Sequence, residues 1–181
     1  MLTKLQRQKL PNLFKFYDAD GNGYIEAVDF DMIHATFCEA AGWGKGSSQS
    51  EALKARLASR WVNIQKHADA NNDNRVSLDE WLAYVDKMLQ SEEQYRAEVE
   101  GIVALIFQAF DRNNDGRIDR AEYERMHRAH RLDATRATSL FNAMDLNKDG
   151  FISVDEHLQL VRQFFKSDNP ADPGNQLFGA L

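Results

Sequence analysis

Asp145-Leu146-Asn147-Lys148-Asp149-Gly150-Phe151-Ile152-Ser153-Val154-Asp155-Glu156 carries oxygen-bearing side chains at its first, third, fifth and twelfth positions, glycine at the sixth and isoleucine at the eighth. The pattern returns in Asp18-Ala19-Asp20-Gly21-Asn22-Gly23-Tyr24-Ile25-Glu26-Ala27-Val28-Asp29. It returns again in Asp69-Ala70-Asn71-Asn72-Asp73-Asn74-Arg75-Val76-Ser77-Leu78-Asp79-Glu80, with Asn sixth and Val eighth, and in Asp111-Arg112-Asn113-Asn114-Asp115-Gly116-Arg117-Ile118-Asp119-Arg120-Ala121-Glu122. One such cluster reads as a surface turn, because Asp and Asn bond their own backbone and tolerate positive φ. Four aligned copies, starting at residues 18, 69, 111 and 145, read instead as an internal repeat.

The chemistry of the repeat follows from its donors. A hard divalent cation of Ca2+ size takes six to eight oxygens at about 2.3–2.6 Å, and a tight loop meets that demand with three short side chains, one backbone carbonyl and a bidentate carboxylate. This is the twelve-residue calcium loop of the EF-hand. The candidate ligands are Asp18, Asp20, Asn22, the Tyr24 carbonyl and Asp29 in loop one, and Asp69, Asn71, Asp73, the Arg75 carbonyl and Glu80 in loop two. Loop three offers Asp111, Asn113, Asp115, the Arg117 carbonyl and Glu122; loop four offers Asp145, Asn147, Asp149, the Phe151 carbonyl and Glu156. Arg75 and Arg117 are no objection at a position that supplies only its carbonyl. Ile25, Val76, Ile118 and Ile152 at the eighth position suit a short antiparallel strand joining two loops back to back.

The loops are not equivalent. Loops three and four have full ligand sets, with Asp119 adding an oxygen in the former and Ser153 placed to hold a water in the latter. In loop one Asp29 stands where Glu is usual; it is one methylene shorter, so bidentate contact requires the loop to contract, which favours six-coordinate Mg2+. Loop two has Asn74 where Gly is usual, and Asn enters the left-handed region at modest cost, so weakened binding is expected there. The expectation is three or four Ca2+ per chain, with Mg2+ competing chiefly at loop one. Three divalent ions would cancel the formal net charge of −6. The empty carboxylates repel one another, so metal should contribute folding free energy as well as bind.

Each loop is flanked by apolar-periodic, helix-like sequence. The first pair of loops is more widely spaced than the second, and the extra residues sit in the Gly/Ser-rich stretch Gly42-Trp43-Gly44-Lys45-Gly46-Ser47-Ser48-Gln49-Ser50. Ser50 reads as the N-cap of a helix over Glu51 to His67, and Ser91-Glu92-Glu93 opens a helix reaching Phe110. The expected organisation is an N-terminal pair over residues 1–90 and a C-terminal pair over 91–181 with a tail over 168–181. The halves meet near residues 89–92 with no long tether, which favours packing on each other over a dumbbell. Eleven Phe, five Tyr and three Trp supply an apolar interior. The predicted fold is therefore all-α: four EF-hands in two pairs, packed into one compact globule, with short β-bridges between paired loops.

The chain resembles the EF-hand superfamily over nearly its whole length. Within it, the four loops without long insertions, Asp29 at the end of loop one and the tail Asp168-Asn169-Pro170-Ala171-Asp172-Pro173-Gly174-Asn175 resemble the calerythrin and invertebrate sarcoplasmic calcium-binding proteins. That resemblance implies a compact cytosolic, non-enzymatic calcium buffer, and adds that one N-terminal loop is often silent.

Other signals set limits. Twenty-two Lys plus Arg against 28 Asp plus Glu repel nucleic-acid phosphates and anionic membrane surfaces. The N-terminal residues break their apolar positions with charge, Leu2 stands where myristoylation needs Gly, and no apolar stretch reaches the roughly 20 residues of a membrane span. The single Cys38 forms no internal disulfide, which fits a reducing, cytoplasmic setting. His34, His67, His127, His130 and His157 show no transition-metal spacing. The run Arg125, His127, Arg128, His130, Arg131 reads as a solvated helix end, with docking of an acidic partner as the other reading. No catalytic motif is present, so the expectation is not an enzyme but a monomeric calcium buffer. A protein target is not indicated: only four methionines besides the initiator are available for a flexible target groove. Two alternatives stay open, a calcium sensor that exposes an apolar surface to a target, and a calcium-regulated carrier of a small aromatic ligand lidded by Leu177-Phe178-Gly179-Ala180-Leu181.

Overall fold

Thr3 opens the first helix as a capping box: its hydroxyl accepts from the Gln6 amide at 3.2 Å while the Gln6 side chain accepts from the Thr3 amide at 2.8 Å. The computed structural model describes residues 1–129 and 137–179. Within these, α1 (Lys4–Tyr17), α2 (Ala27–Ala41), α3 (Ser48–Ala68), α4 (Leu78–Met88), α5 (Glu92–Phe110), α6 (Arg120–Ala129), α7 (Ala137–Met144) and α8 (Val154–Lys166) form four helix–loop–helix units. A short 3-10 turn, Pro173–Gln176, closes the tail.

The helix starts follow local chemistry. Ser77 and Ser153, ninth in their loops, cap α4 and α8 by accepting the amides of Glu80 and Glu156. Ser91 caps α5, as its sequence suggests. The start of α3 differs from expectation: Ser47 is the N-cap and accepts the Ser50 amide at 3.2 Å. Ser50 is buried, with its carbonyl and hydroxyl 3.0 and 3.1 Å from His34 Nε2 on α2. A serine that caps and a serine that packs look alike in sequence; the α2–α3 contact decides between them.

Loops pair through two-residue and three-residue strands. In the first pair β1 (Tyr24–Ile25) runs antiparallel to β2 (Val76–Ser77), with Ile25 opposite Val76. In the second, β3 (Arg117–Asp119) pairs with β4 (Phe151–Ser153), with Ile118 opposite Ile152. All four eighth-position residues are at most 1% exposed, so each bridge anchors two loops to the core beneath them. Among the described residues, with helices throughout and only these short ladders, the fold is all-α, two pairs of helix–loop–helix units in one body.

One apolar cluster runs through both halves, from Leu10, Phe14 and Phe37 to Phe110, Phe141 and Phe164. α2 packs against α5 and α6, α3 against α5, and α1 against α8. Phe37 and Phe110 meet edge to face at 5.0 Å. The Arg60 guanidinium on α3 holds both carboxylate oxygens of Glu98 on α5, and Glu98 is 3% exposed. Arg60 Nε also donates to Tyr17 Oη, and Tyr84 Oη to Glu98, each at 3.1 Å. Lys9 of α1 is fully buried and donates to the carbonyls of Gln163 and Ser167 and to Asn175 Oδ1 at 2.9, 2.8 and 2.7 Å. The tail is thereby held to α1, and Phe178 lies 5.9 Å from Phe16 and 4.8 Å from Phe164, ring to ring.

Of the basic run, Arg125 on α6 reaches to 4.0 Å from Glu122. The side chains of His127 and Arg128, all of His130 and Arg131, and tail residues Ala180 and Leu181 lie outside the described residues. Among the described residues no helix is long and apolar enough to cross a membrane.

Candidate metal centres

The same hydrogen-bond frame shapes every loop. Oδ2 of the first-position aspartate accepts the sixth-position amide: Asp18 from Gly23 at 3.0 Å, Asp69 from Asn74 at 3.0 Å, Asp111 from Gly116 at 2.9 Å and Asp145 from Gly150 at 2.9 Å. Third-position and fifth-position oxygens each accept the amide two residues on, as in Asn71 to Asp73 and Asp115 to Arg117. These turns tie one oxygen each of Asp20, Asn22, Asn71, Asp73, Asn113, Asp115, Asn147 and Asp149 to the backbone of their own loops. The backbone bends that allow this are left-handed. Sixth-position φ is +89° at Gly23, +65° at Asn74, +77° at Gly116 and +90° at Gly150. Asn74 thus adopts the glycine conformation, as expected of it. The fourth position is left-handed too, including Lys148 at +61°, a demand that spacing alone does not reveal.

The twelfth-position carboxylate closes each loop by bridging the second-position and ninth-position amides. Asp29 accepts from Ala19 at 2.9 Å and Glu26 at 2.7 Å; Glu80 from Ala70 at 3.1 Å and Ser77 at 2.9 Å. Glu122 accepts from Arg112 at 2.8 Å and Asp119 at 3.0 Å; Glu156 from Leu146 and Ser153, both at 2.9 Å. The Ser153 hydroxyl donates to Glu156 at 2.8 Å, and Asp119 accepts the Glu122 amide at 2.8 Å. These side chains serve as caps in the structure. Tyr24, Arg75, Arg117 and Phe151 lie at the entry to the paired strands, and two of them stack on their opposite numbers: the Arg75 guanidinium lies 4.2 Å above the Tyr24 ring, and Arg117 4.5 Å above Phe151.

Loop one is the tightest. Asp18, Asp20 and Asp29 each bring an oxygen within 4.8 Å of the others, the only such trio among the described residues. Asp29 is fully buried, and burial pushes its carboxyl above the usual carboxylate range against the amides that stabilise its charge. Asp18 Oδ1 is buried with no hydrogen-bond partner. Its counterparts Asp69, Asp111 and Asp145 accept the fifth-position amide at 3.1–3.2 Å. A buried anionic oxygen without a donor is costly unless a cation meets it, so the donor set fits a hard cation. Asp29 makes the amide contacts that Glu156 makes, but with one methylene fewer, which draws the loop inward.

Loops two, three and four keep their carboxylates on the same frame but do not draw three of them within that distance. Their ends also differ. Glu122 and Glu156 are 3% and 8% exposed, whereas Glu80 is only half-buried. The amide and hydroxyl of Ser77 hold Glu80 below the usual range. Burial acts to raise Glu156, but the Ser153 bonds and loop amides outweigh it and hold that carboxyl low. In loop two the Arg75 side chain bonds Asp73 Oδ2 through Nε at 2.9 Å, holding Asp73 below the usual range.

Comparison with known proteins agrees with this geometry. Residues 100–162 match the EF-hand domain pair family and residues 66–85 the EF hand family. The chain is 26% identical to calerythrin of Saccharopolyspora erythraea over 166 residues, covering 91% of this chain and 94% of that one. Its fold is similar to that of a sarcoplasmic calcium-binding protein from amphioxus, with TM-score 0.82, 23% identity and 100% of both chains covered. It is also similar in fold to the coelenterazine-binding protein of Renilla muelleri in its calcium-loaded apo form, with TM-score 0.74, 21% identity, and 99% and 100% coverage.

Proposed function

We propose, from the premise that this is an EF-hand calcium-binding chain similar to calerythrin and the sarcoplasmic calcium-binding proteins, that it is a non-catalytic calcium buffer with three or four sites. The observation that carries the reading is loop one, where Asp18, Asp20 and Asp29 each bring a carboxylate oxygen within 4.8 Å of the others and Asp18 Oδ1 is buried without a hydrogen-bond partner. Asp18, Asp20, Asn22 and Asp29 would hold one ion. Asp69, Asn71, Asp73 and Glu80 would hold a second; Asp111, Asn113, Asp115 and Glu122 a third; and Asp145, Asn147, Asp149 and Glu156 a fourth. The ninth-position oxygens of Ser77, Asp119 and Ser153 cap helices, and the carbonyls of Tyr24, Arg75, Arg117 and Phe151 complete the sets. The contracted loop one favours Mg2+ there. A closed interior supports buffer over sensor: the Arg60–Glu98 pair joins the halves, and Lys9 straps the tail across α1 and α8. Calorimetry should give at least three Ca2+ per chain; two or fewer would refute the count. Adding Ca2+ should raise the melting temperature, by about 2.7 kcal/mol of stabilisation at a hundredfold excess over Kd, while apolar-dye fluorescence falls. A sensor would brighten the dye as its groove opens.

A second reading, a calcium-regulated carrier of a small aromatic ligand, draws on the buried polar atoms Trp81 Nε1, Tyr95 Oη and His157 Nε2, which have no hydrogen-bond partner. Quenching of tryptophan fluorescence by an added aromatic heterocycle, saturating at one per chain, would favour it.

A further inference from the structure

We propose that Arg75 is a tethered competitor for the calcium site of loop two, holding Asp73 Oδ2 and weakening that loop relative to loops three and four. The inference rests on the calcium-binding reading above and concerns how one of its sites is regulated. Asp73 is a fifth-position ligand with two oxygens. Oδ1 accepts the Arg75 amide at 3.2 Å, and Oδ2 accepts both Arg75 Nε at 2.9 Å and Asn71 Nδ2 at 3.2 Å. The charged contact is what sets loop two apart, because Asp115 and Asp149 take amide donors in the same positions but no guanidinium.

Position alone does not explain the contact. Arg117 occupies the same seventh position in loop three and rests on an aromatic ring of its paired loop just as Arg75 does. Among the described residues Arg117 makes no ion pair with Asp115. Tyr24 supports the Arg75 guanidinium 4.2 Å from its ring centre, so loop one holds the cation of loop two in place. A divalent ion entering loop two meets a carboxylate already partly neutralised, and must displace or share the guanidinium. Site affinity follows ligand charge, so the built-in cation weakens this loop relative to its neighbours. The pair is solvent-accessible, with side chains 45% and 34% exposed. Its effect is therefore bounded by the strength of an exposed ion pair and is screened by salt.

The test uses the full chain and amide resonances as site reporters during Ca2+ titration. Asn74, Gly116 and Gly150 donate the equivalent bond to the first-position aspartate and report loops two, three and four. In Arg75→Met, loop two should tighten by about twofold to fivefold at low salt, with loops three and four unchanged, and the gain should vanish near 1 M salt, where the screening length is about 3 Å. Arg117→Met removes the same charge without an aspartate contact, and should leave loop three within about 1.5-fold by the same argument. Unchanged or weaker loop-two binding in Arg75→Met, or equal gains in both variants, overturns the proposal. If Gly116 and Gly150 still respond, the calcium reading stands while the competitor fails. If no reporter moves in any chain, the calcium reading itself fails and the proposal with it.

Discussion

Asp29 decides loop one by a single methylene. It bridges the amides of Ala19 and Glu26 as a glutamate would, but from closer in, and Asp18, Asp20 and Asp29 converge more tightly than the acids of any other described loop. Asp29→Glu should relax that contraction and raise selectivity for Ca2+ over Mg2+ at this loop by about tenfold, given the rigid octahedral demand of the smaller ion. Paired titrations with the two metals check it, and an unchanged ratio would sink the geometric argument. At this scale the sequence is legible wherever the spacing is itself the chemistry: the first, third, fifth and twelfth positions stand out in the bare string. The left-handed Lys148 does not, because nothing in a lysine announces a φ of +61°. Nor does the Arg75–Asp73 contact, because two residues with identical positions, Arg75 and Arg117, adopt different partners.

At the scale of elements, α1 shows packing overriding local preference. Pro11 lies inside this helix, where proline removes a hydrogen bond and costs about 3 kcal/mol in an isolated helix. Leu10, Leu13 and Phe14, at most 4% exposed, hold the element against the core regardless. Lys9, on the same helix, reads in sequence as a surface charge, yet burial pushes its ammonium down to about 8 from 10.5. Between those values the unfolded chain binds the proton and the folded chain does not, so the Lys9 contribution to stability rises with pH over that window. The free-energy difference between the parent and Lys9→Met should widen in favour of the parent, by on the order of 1–2 kcal/mol, from pH 8 to pH 10. Urea unfolding at several pH values measures it; a flat difference would mean the ammonium is not desolvated. Below pH 8 the variant should still be destabilised, since two carbonyls and Asn175 lose their donor.

In the whole molecule, the union of the halves rests on groups far apart in the chain. Glu98→Leu would leave the Arg60 guanidinium without its carboxylate in a site where that carboxylate was 3% exposed, and should cost about 3 kcal/mol in urea unfolding. Adding Arg60→Met should recover most of the loss, because an apolar pair of similar volume avoids the desolvation of two charges. A loss under about 0.5 kcal/mol, the level of a surface pair, would refute a buried clamp. The sequence by itself determined the four loops, their pairing through Ile25, Val76, Ile118 and Ile152, and the all-α class, because each is a local pattern of spacing and periodicity. Only the tertiary structure decided that Ser50 packs while Ser47 caps, that Lys9 and Asn175 bind the tail to α1, and that Arg60 meets Glu98. Those outcomes depend on which surfaces the folded chain brings together and desolvates, and residues 38 or 166 positions apart carry no local mark of that meeting.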